Sequence, residues 1–279
     1  ILEKYPELLT KELRIFFVKF NDPLYVKLEK IDIMVRLVDP TNLKQCTLLL
    51  TELKEYAMEF EPEFVSKAIQ GLTQLAIKYS SEQFVSKALE DLLELVERSE
   101  TLKDDCCIAM CELLRHCTSN GKMANDVCAL LNSWSNPESF LVSDSAKCNY
   151  VWLLGYYPDK FTDLEEKLNA FTENFLQEET LTQTSVLMTV VRLHSVLPGS
   201  TLQKVLELAT TSVNEIDLRD MAMLYWRCLS MPNSDNLVEE LCKSAPPQIE
   251  TALEKFSPDT LEKLLKQLST ISSIYFKPQ

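Results

Sequence analysis

Between Leu24 and Val38 apolar residues fall at Leu24, Leu28, Ile31, Val35 and Val38, a 4-3-4-3 spacing that gathers them on one face of a helix. Val26, Ile33 and Leu37 form a second apolar line on another side, and Asp32 and Arg36 stand one turn apart outside the first, placed to pair. A surface helix needs one apolar stripe. Two stripes predict a helix packed both on its hairpin partner and on the neighbouring hairpins. Asp22 stands where a capping side chain accepts from the first backbone N–H groups, and Pro23 suits the first helical position because its missing N–H costs nothing there.

The same period recurs with short breaks, predicting helices over 2–19, 23–38, 42–59, 62–79, 82–98, 102–117, 122–134, 143–157, 163–177, 181–197, 200–213, 217–230, 235–243 and 257–275. Paired successively, they give about seven hairpins of about forty residues each, the period of HEAT and armadillo arrays. FVSKAI at Phe64–Ile69 echoes as FVSKAL at Phe84–Leu89, and Leu72, Leu75 and Ala76 are answered by Leu92, Leu95 and Val96. That twenty-residue offset is one helix plus one tight turn, half of a helical-hairpin repeat. Turn signals stand at Asn136-Pro137, Tyr157-Pro158-Asp159, Pro198-Gly199-Ser200 and Pro246-Pro247, and Ser257-Pro258 opens the last helix. None is long enough to be a domain linker. The predicted fold is therefore all-α: one right-handed α-solenoid of HEAT/armadillo-like helical hairpins over residues 1–279.

Composition sharpens this reading. The 46% apolar content is ample for a core, and only four glycines occur, Gly71, Gly121, Gly155 and Gly199, each isolated, so no Gly-rich phosphate loop can be built. The net charge of −14 is uneven: residues 1–54 carry nine Lys/Arg against eight Asp/Glu, and the rest carries nineteen against thirty-four. Such a surface repels nucleic acid and anionic head groups on average. The nine cysteines, Cys46, Cys106, Cys107, Cys111, Cys117, Cys128, Cys148, Cys228 and Cys242, are an odd set embedded in helical patterns, which fits reduced cytosolic thiols better than a disulfide framework. The sequence contains neither a signal peptide nor an apolar run of membrane-spanning length. It starts at Ile1 inside a polar lead-in, as expected of a piece of a longer protein.

Candidate chemistry is sparse. Cys107 and Cys111 fall one turn apart and offer half a zinc site, with Cys106, His116 and Cys117 nearby; no second Cys-x-x-Cys pair completes it, so small apolar core residues are expected. His116 and His194 lie near helix ends in different repeats without a nucleophile, and stabilisation by the helix dipole accounts for them better than a triad. The acidic runs Glu59–Glu63, Glu90–Glu97 and Glu178-Glu179 read as solvated helix faces and turns. Trp152, Tyr156 and Tyr157, and likewise Tyr225-Trp226, offer a peptide-binding strip, but large aromatics at helical spacing more often fill inter-repeat core.

FFVKFNDPLYVKLEKIDIMVRLV (Phe16–Val38) and LRDMAMLYWRCLS (Leu218–Ser230) closely resemble the beta-adaptin large subunits of clathrin-associated adaptor complexes. LTELKEYAMEFEPEFVSKAI (Leu50–Ile69), VWLLGYY (Val151–Tyr157), LQKVLELAT (Leu202–Thr210) and SIYFKP (Ser273–Pro278) support the likeness, which weakens between about Glu97 and Asp144. The resemblance implies the C-terminal half of a beta-adaptin trunk, a solenoid that curves around the N-terminal domain of the medium subunit. The implied partners are that medium subunit, the other large subunit and the small subunit. It further implies that the trunk's N-terminal half, the hinge and the appendage are not part of this chain. Clathrin would be reached only through the hinge, and membrane contact would be indirect. The setting would be cytoplasmic, peripheral on coated vesicles at the trans-Golgi, endosomes or plasma-membrane coated pits.

The expected function is a non-catalytic scaffold in coat assembly, cargo sorting and vesicle-mediated transport, with no catalytic, cofactor or metal residue and no nucleic-acid partner. Partner-binding residues are not assigned by the sequence. The alternative is a cargo-binding solenoid receptor of the nuclear-transport kind, which repeats a Trp with an Asn one turn later. Here Trp134, Trp152 and Trp226 are followed four residues on by Glu138, Tyr156 and Ser230.

Overall fold

The computed structural model describes residues 10–39, 41–79, 81–117, 121–134, 137–232, 234–242, 258–267 and 270. A 3-10 turn at Thr10–Phe16 precedes α1 (Leu24–Leu37), α2 (Leu43–Tyr56), α3 (Pro62–Tyr79), α4 (Glu82–Arg98), α5 (Lys103–His116), α6 (Gly121–Asn132) and α7 (Pro137–Phe140). There follow α8 (Asp144–Tyr156), α9 (Leu164–Glu173), α10 (Thr180–Arg192), α11 (Gly199–Thr211), α12 (Ile216–Leu229), α13 (Ser234–Cys242) and α14 (Pro258–Lys266). No strand occurs among the described residues. The helical solenoid is thus as the periodicity predicts, with one short helix, α7, that the pattern missed. The first predicted helix is described only from Thr10, as the 3-10 turn; Pro246-Pro247 and SIYFKP lie outside the described residues.

The second helices of successive hairpins stack in one layer: α3 packs on α1, α5 on α3, α8 on α5 and α10 on α8. The first helices α2, α4, α9 and α11 flank that layer: α2 packs on α3, and α4, α9 and α11 each pack on two consecutive second helices. A second helix therefore has neighbours on three sides. Phe64, Ala68, Leu72, Leu75 and Ala76 of α3 are all fully buried, and each buried Leu or Phe of this kind contributes about 1.5–3 kcal/mol. The two stripes of α1 are explained by the same geometry, although Leu24, Leu28, Val26 and Ile33 are only half-buried while Ile31, Met34, Val35 and Leu37 are buried.

Two details at α1 differ from expectation. The helix starts at Leu24 with Pro23 as its cap residue, and Asp22 accepts instead from the Lys19 N–H at 2.7 Å and the Lys30 ammonium at 2.5 Å. Those two hydrogen bonds hold its carboxyl below the usual carboxylate range. Asp32 does not pair with Arg36 but with Lys67 of α3, at 2.8 Å, because the stacked layer brings a cation closer than the same helix does.

Polar contacts between hairpins repeat the same step along the chain. Asp104, in the first turn of α5, accepts from the Val142 and Ser143 N–H groups at 3.1 and 2.6 Å, and Asp144, in the first turn of α8, accepts from the Thr182 N–H at 3.2 Å. Neither α8 nor α10 has a side-chain cap of its own, so the preceding repeat supplies the acceptor for the free N–H groups of the next helix. At the other edge the Lys78 ammonium donates to the Val35, Arg36 and Val38 carbonyls at 3.0, 3.0 and 2.8 Å, closing the C-terminus of α1 from α3.

The closest approach is between α8 and α10. Thr182, Ser185 and Thr189, spaced three and four residues apart, point their hydroxyls at α8. Thr182 bonds Asp144, Ser185 donates to the Cys148 carbonyl at 2.9 Å, and Thr189 donates to the Val151 carbonyl at 3.1 Å. Gly155 makes room for this: a Cβ there would lie 2.9 Å from Thr189 Cγ2. Gly71 plays the same part between α3 and α1, where a Cβ would meet Ile31 Cγ2 at 2.9 Å.

Candidate interaction surface

None of the catalytic candidates assembles. Cys106, Cys107, Cys111 and Cys128 are buried, and no group of three His, Cys, Asp or Glu able to hold a metal occurs among the described residues. Cys107 and Cys111 do share a face, as their spacing predicts, but that face is turned to α8, where their thiols lie 3.9 and 3.5 Å from the Ala146 and Asn149 carbonyls. Burial pushes the Cys106 thiol up to about 12 and that of Cys128 to about 11, so both stay protonated and unreactive. His116 closes α5 and His194 follows α10, in separate repeats. Burial, followed by the neighbouring Arg115, pushes the His116 imidazole below its ordinary value.

The acidic runs are not merely solvated. Each hands a carboxylate to a lysine of another hairpin: Glu59 to Lys27 at 3.4 Å, Asp91 and Glu94 to Lys54 at 2.6 and 2.5 Å, and Glu178 to Lys147 at 2.7 Å. Lys27 is itself only 8% exposed and lies 4.9 Å over the Phe64 ring. Periodicity alone does not reveal this, since the partners stand 31 to 40 residues apart.

The aromatic expectation holds in part. The inter-repeat core holds Trp134, Tyr150, Phe161 and Phe171, with Tyr150 between 6.2 and 6.5 Å from the other three rings. Trp134 also meets Phe140 of α7 edge-on at 5.2 Å, which is what the short helix contributes. Tyr225 is buried in the core and the half-buried Trp152 and Tyr157 pack against it, as expected, whereas Tyr156 and Trp226 are 43% and 46% exposed.

Trp152 and Tyr156 stack at 5.1 Å, one turn apart on α8, and Tyr157 meets Tyr156 edge-on at 5.1 Å. Arg115, from the last turn of α5, places its guanidinium 4.1 Å from the Trp152 ring centre, and Arg192, from the last turn of α10, lies 4.6 Å from that of Tyr156. The four side chains form a ladder across three neighbouring second helices, Arg115–Trp152–Tyr156–Arg192. Cations belong at this edge because the free carbonyls of helix C-termini make it negative. Beside the ladder opens a cleft of about 550 Å³ lined by Tyr156, Arg192, His194, Ser195, Val238, Glu239 and Cys242, where Arg192 also donates to the Cys242 carbonyl at 3.2 Å.

A layered stack of helical hairpins, with polar side chains spent on joining repeats and a half-exposed aromatic surface, defines an α-solenoid of the kind that binds other proteins. The chain belongs to the adaptin family: the model of the adaptin N terminal region matches residues 1–233. It is 72% identical over 278 residues to the AP-1 complex subunit beta-1 of Saccharomyces cerevisiae, covering 100% of this chain and 38% of that protein. It is 34% identical over 283 residues to the human AP-1 complex subunit beta-1, covering 100% of this chain and 28% of that protein. The AP-2 complex subunit beta of Schizosaccharomyces pombe is 32% identical over 282 residues, covering 100% of this chain and 40% of that protein. The chain thus spans less than half the length of these relatives. Among solved structures, a chain of a homology model of the full-length AP-3 complex in an intermediate open conformation has the same fold, with a TM-score of 0.54 and 21% identity over 84% of this chain and 40% of that one. The match over residues 1–233 is to the adaptin N terminal region, in keeping with the family that the resemblance implies.

Proposed function

We propose that the chain is a non-catalytic scaffold segment of the beta subunit of an AP-1-type clathrin adaptor, one continuous solenoid over residues 1–279 that supports coat assembly, cargo sorting and vesicle-mediated protein transport. The observation that carries this is the 72% identity to the yeast AP-1 beta-1 subunit along the whole chain. The structure supports a scaffolding role through the way it spends its polar side chains: ion pairs and hydroxyls join successive repeats. Its partners are then the medium, small and second large subunits, and its place is peripheral on coated vesicles at trans-Golgi, endosomal or plasma membranes. No helix among the described residues is long and apolar enough to cross a membrane, which fits that peripheral attachment.

The test is co-expression of the tagged chain with those three subunits. Recovery of the medium subunit in stoichiometric amount is expected; a folded chain that repeatedly emerges alone overturns the proposal.

A further inference from the structure

Arg115 and Arg192 form no ion pair with any described residue, although the chain carries 42 acidic side chains against 28 lysines and arginines. Both are instead laid on aromatic rings. A guanidinium stacked on a ring points its in-plane N–H donors outward at the edge, in the fork geometry that fits a carboxylate; Arg192 spends one of its donors on the Cys242 carbonyl and keeps the others. The rings themselves are partly exposed, and the adjoining cleft offers the apolar wall of Val238 and Cys242 beside Tyr156. Acidic groups also stand nearby: Glu112, a turn from Arg115, has its carboxyl pushed up by burial against the opposing pull of Arg115, and Glu239 of α13 lines the cleft.

We propose that the ladder and its cleft are a docking site for an extended acidic peptide segment of a partner protein. One carboxylate meets Arg115 and another Arg192, while an apolar side chain between or beside them enters the cleft. The contacts along the ladder place the two guanidinium groups no more than about 14 Å apart, the length of about four extended residues. A protein segment fits better than an anionic bilayer because a recess of about 550 Å³ admits side chains but not a flat sheet of head groups.

Fluorescence polarisation of the full chain with a fluorescein-labelled octapeptide of alternating glutamate and leucine tests this, with the lysine–leucine octapeptide and phosphatidylserine vesicles as the other arms. The acidic peptide is expected to bind with an affinity that falls as salt rises. It should weaken at least tenfold in Arg115→Gln/Arg192→Gln and be unchanged in Arg98→Gln, whose arginine pairs with Glu94 elsewhere. Binding should also shift the tryptophan emission of the wild type and not that of Trp152→Phe. Arg115→Gln alone serves if loss of the Arg192 bond to Cys242 unfolds the last helices. The proposal is overturned by absence of acidic-peptide binding to folded protein, by binding indifferent to both arginines, by equal binding of the lysine peptide, or by vesicle binding that needs the arginines while the peptide does not bind.

Discussion

The contact between α8 and α10 and the contact between α2 and α4 join successive repeats in opposite ways. At the first, Gly155 removes a Cβ, and short hydroxyls from Ser185 and Thr189 reach the carbonyls of the facing helix directly. At the second, Lys54 stretches between Asp91 and Glu94, bridging helices with a long, half-buried cation. The stacked layer of second helices depends on backbone proximity, and the flanking layer tolerates distance. The second-helix layer is the one that presents the arginine–aromatic ladder at its edge.

The harshest way to break this contrast is Gly155→Leu, which wedges α10 away from α8. It is expected to cost about 3 kcal/mol or more in denaturant unfolding, with Thr189→Ala restoring part of the loss. Asp144→Ala comes next: it strips the acceptor from the N-terminus of α10, for which about 1–2 kcal/mol is expected by the same measurement. Thr189→Val keeps the shape and removes one hydroxyl bond, so about 1 kcal/mol is expected, independent of salt.

Lys54→Met should have the smallest effect on stability, and unlike the others that effect should shrink as salt rises. It also has a pH signature. Lys54 is raised above its ordinary 10.5, chiefly by the hydrogen bond to Asp91 and then that to Glu94, so its contribution is present below 10.5 and is lost as pH climbs past its folded value. Glu94 is lowered from 4.5 by the hydrogen bond from Lys54, so its contribution is present above 4.5 and is lost as pH falls through its lower folded value. Melting curves of Lys54→Met should be flatter than wild type at both ends. Finally, maleimide labelling of native protein should spare Cys106, Cys107 and Cys111, which are buried in the second-helix layer; rapid modification of all three would show that this layer opens readily.

The helices from 23 to 230 were legible because a 3.6-residue period in one face needs only local sequence, and the bounds of α3 and α4 coincide with those the pattern predicts. Helix α7 escaped because four residues carry no period. The aromatic site was half legible: Trp152, Tyr156 and Tyr157 stand out as a cluster, but the exposure of Tyr156 was misjudged, since identical spacing serves a core face and an edge alike. A clue to the inter-repeat caps was present in the forty-residue step from Asp104 to Asp144, which becomes meaningful once α5 and α8 are known to stack side by side.

Sequence alone determined that this chain folds as repeated helical hairpins, that it lacks a phosphate loop, and which family it resembles. These properties lie in periodicity, glycine scarcity and motif strings, all local along the chain. Only the tertiary structure decided that Lys27 is buried over Phe64, that Asp32 answers Lys67, and that Arg115 and Arg192 flank one aromatic stack. Each of those pairings joins residues on different helices, and a side chain's partner there is set by how two helices pack, which no single helix encodes.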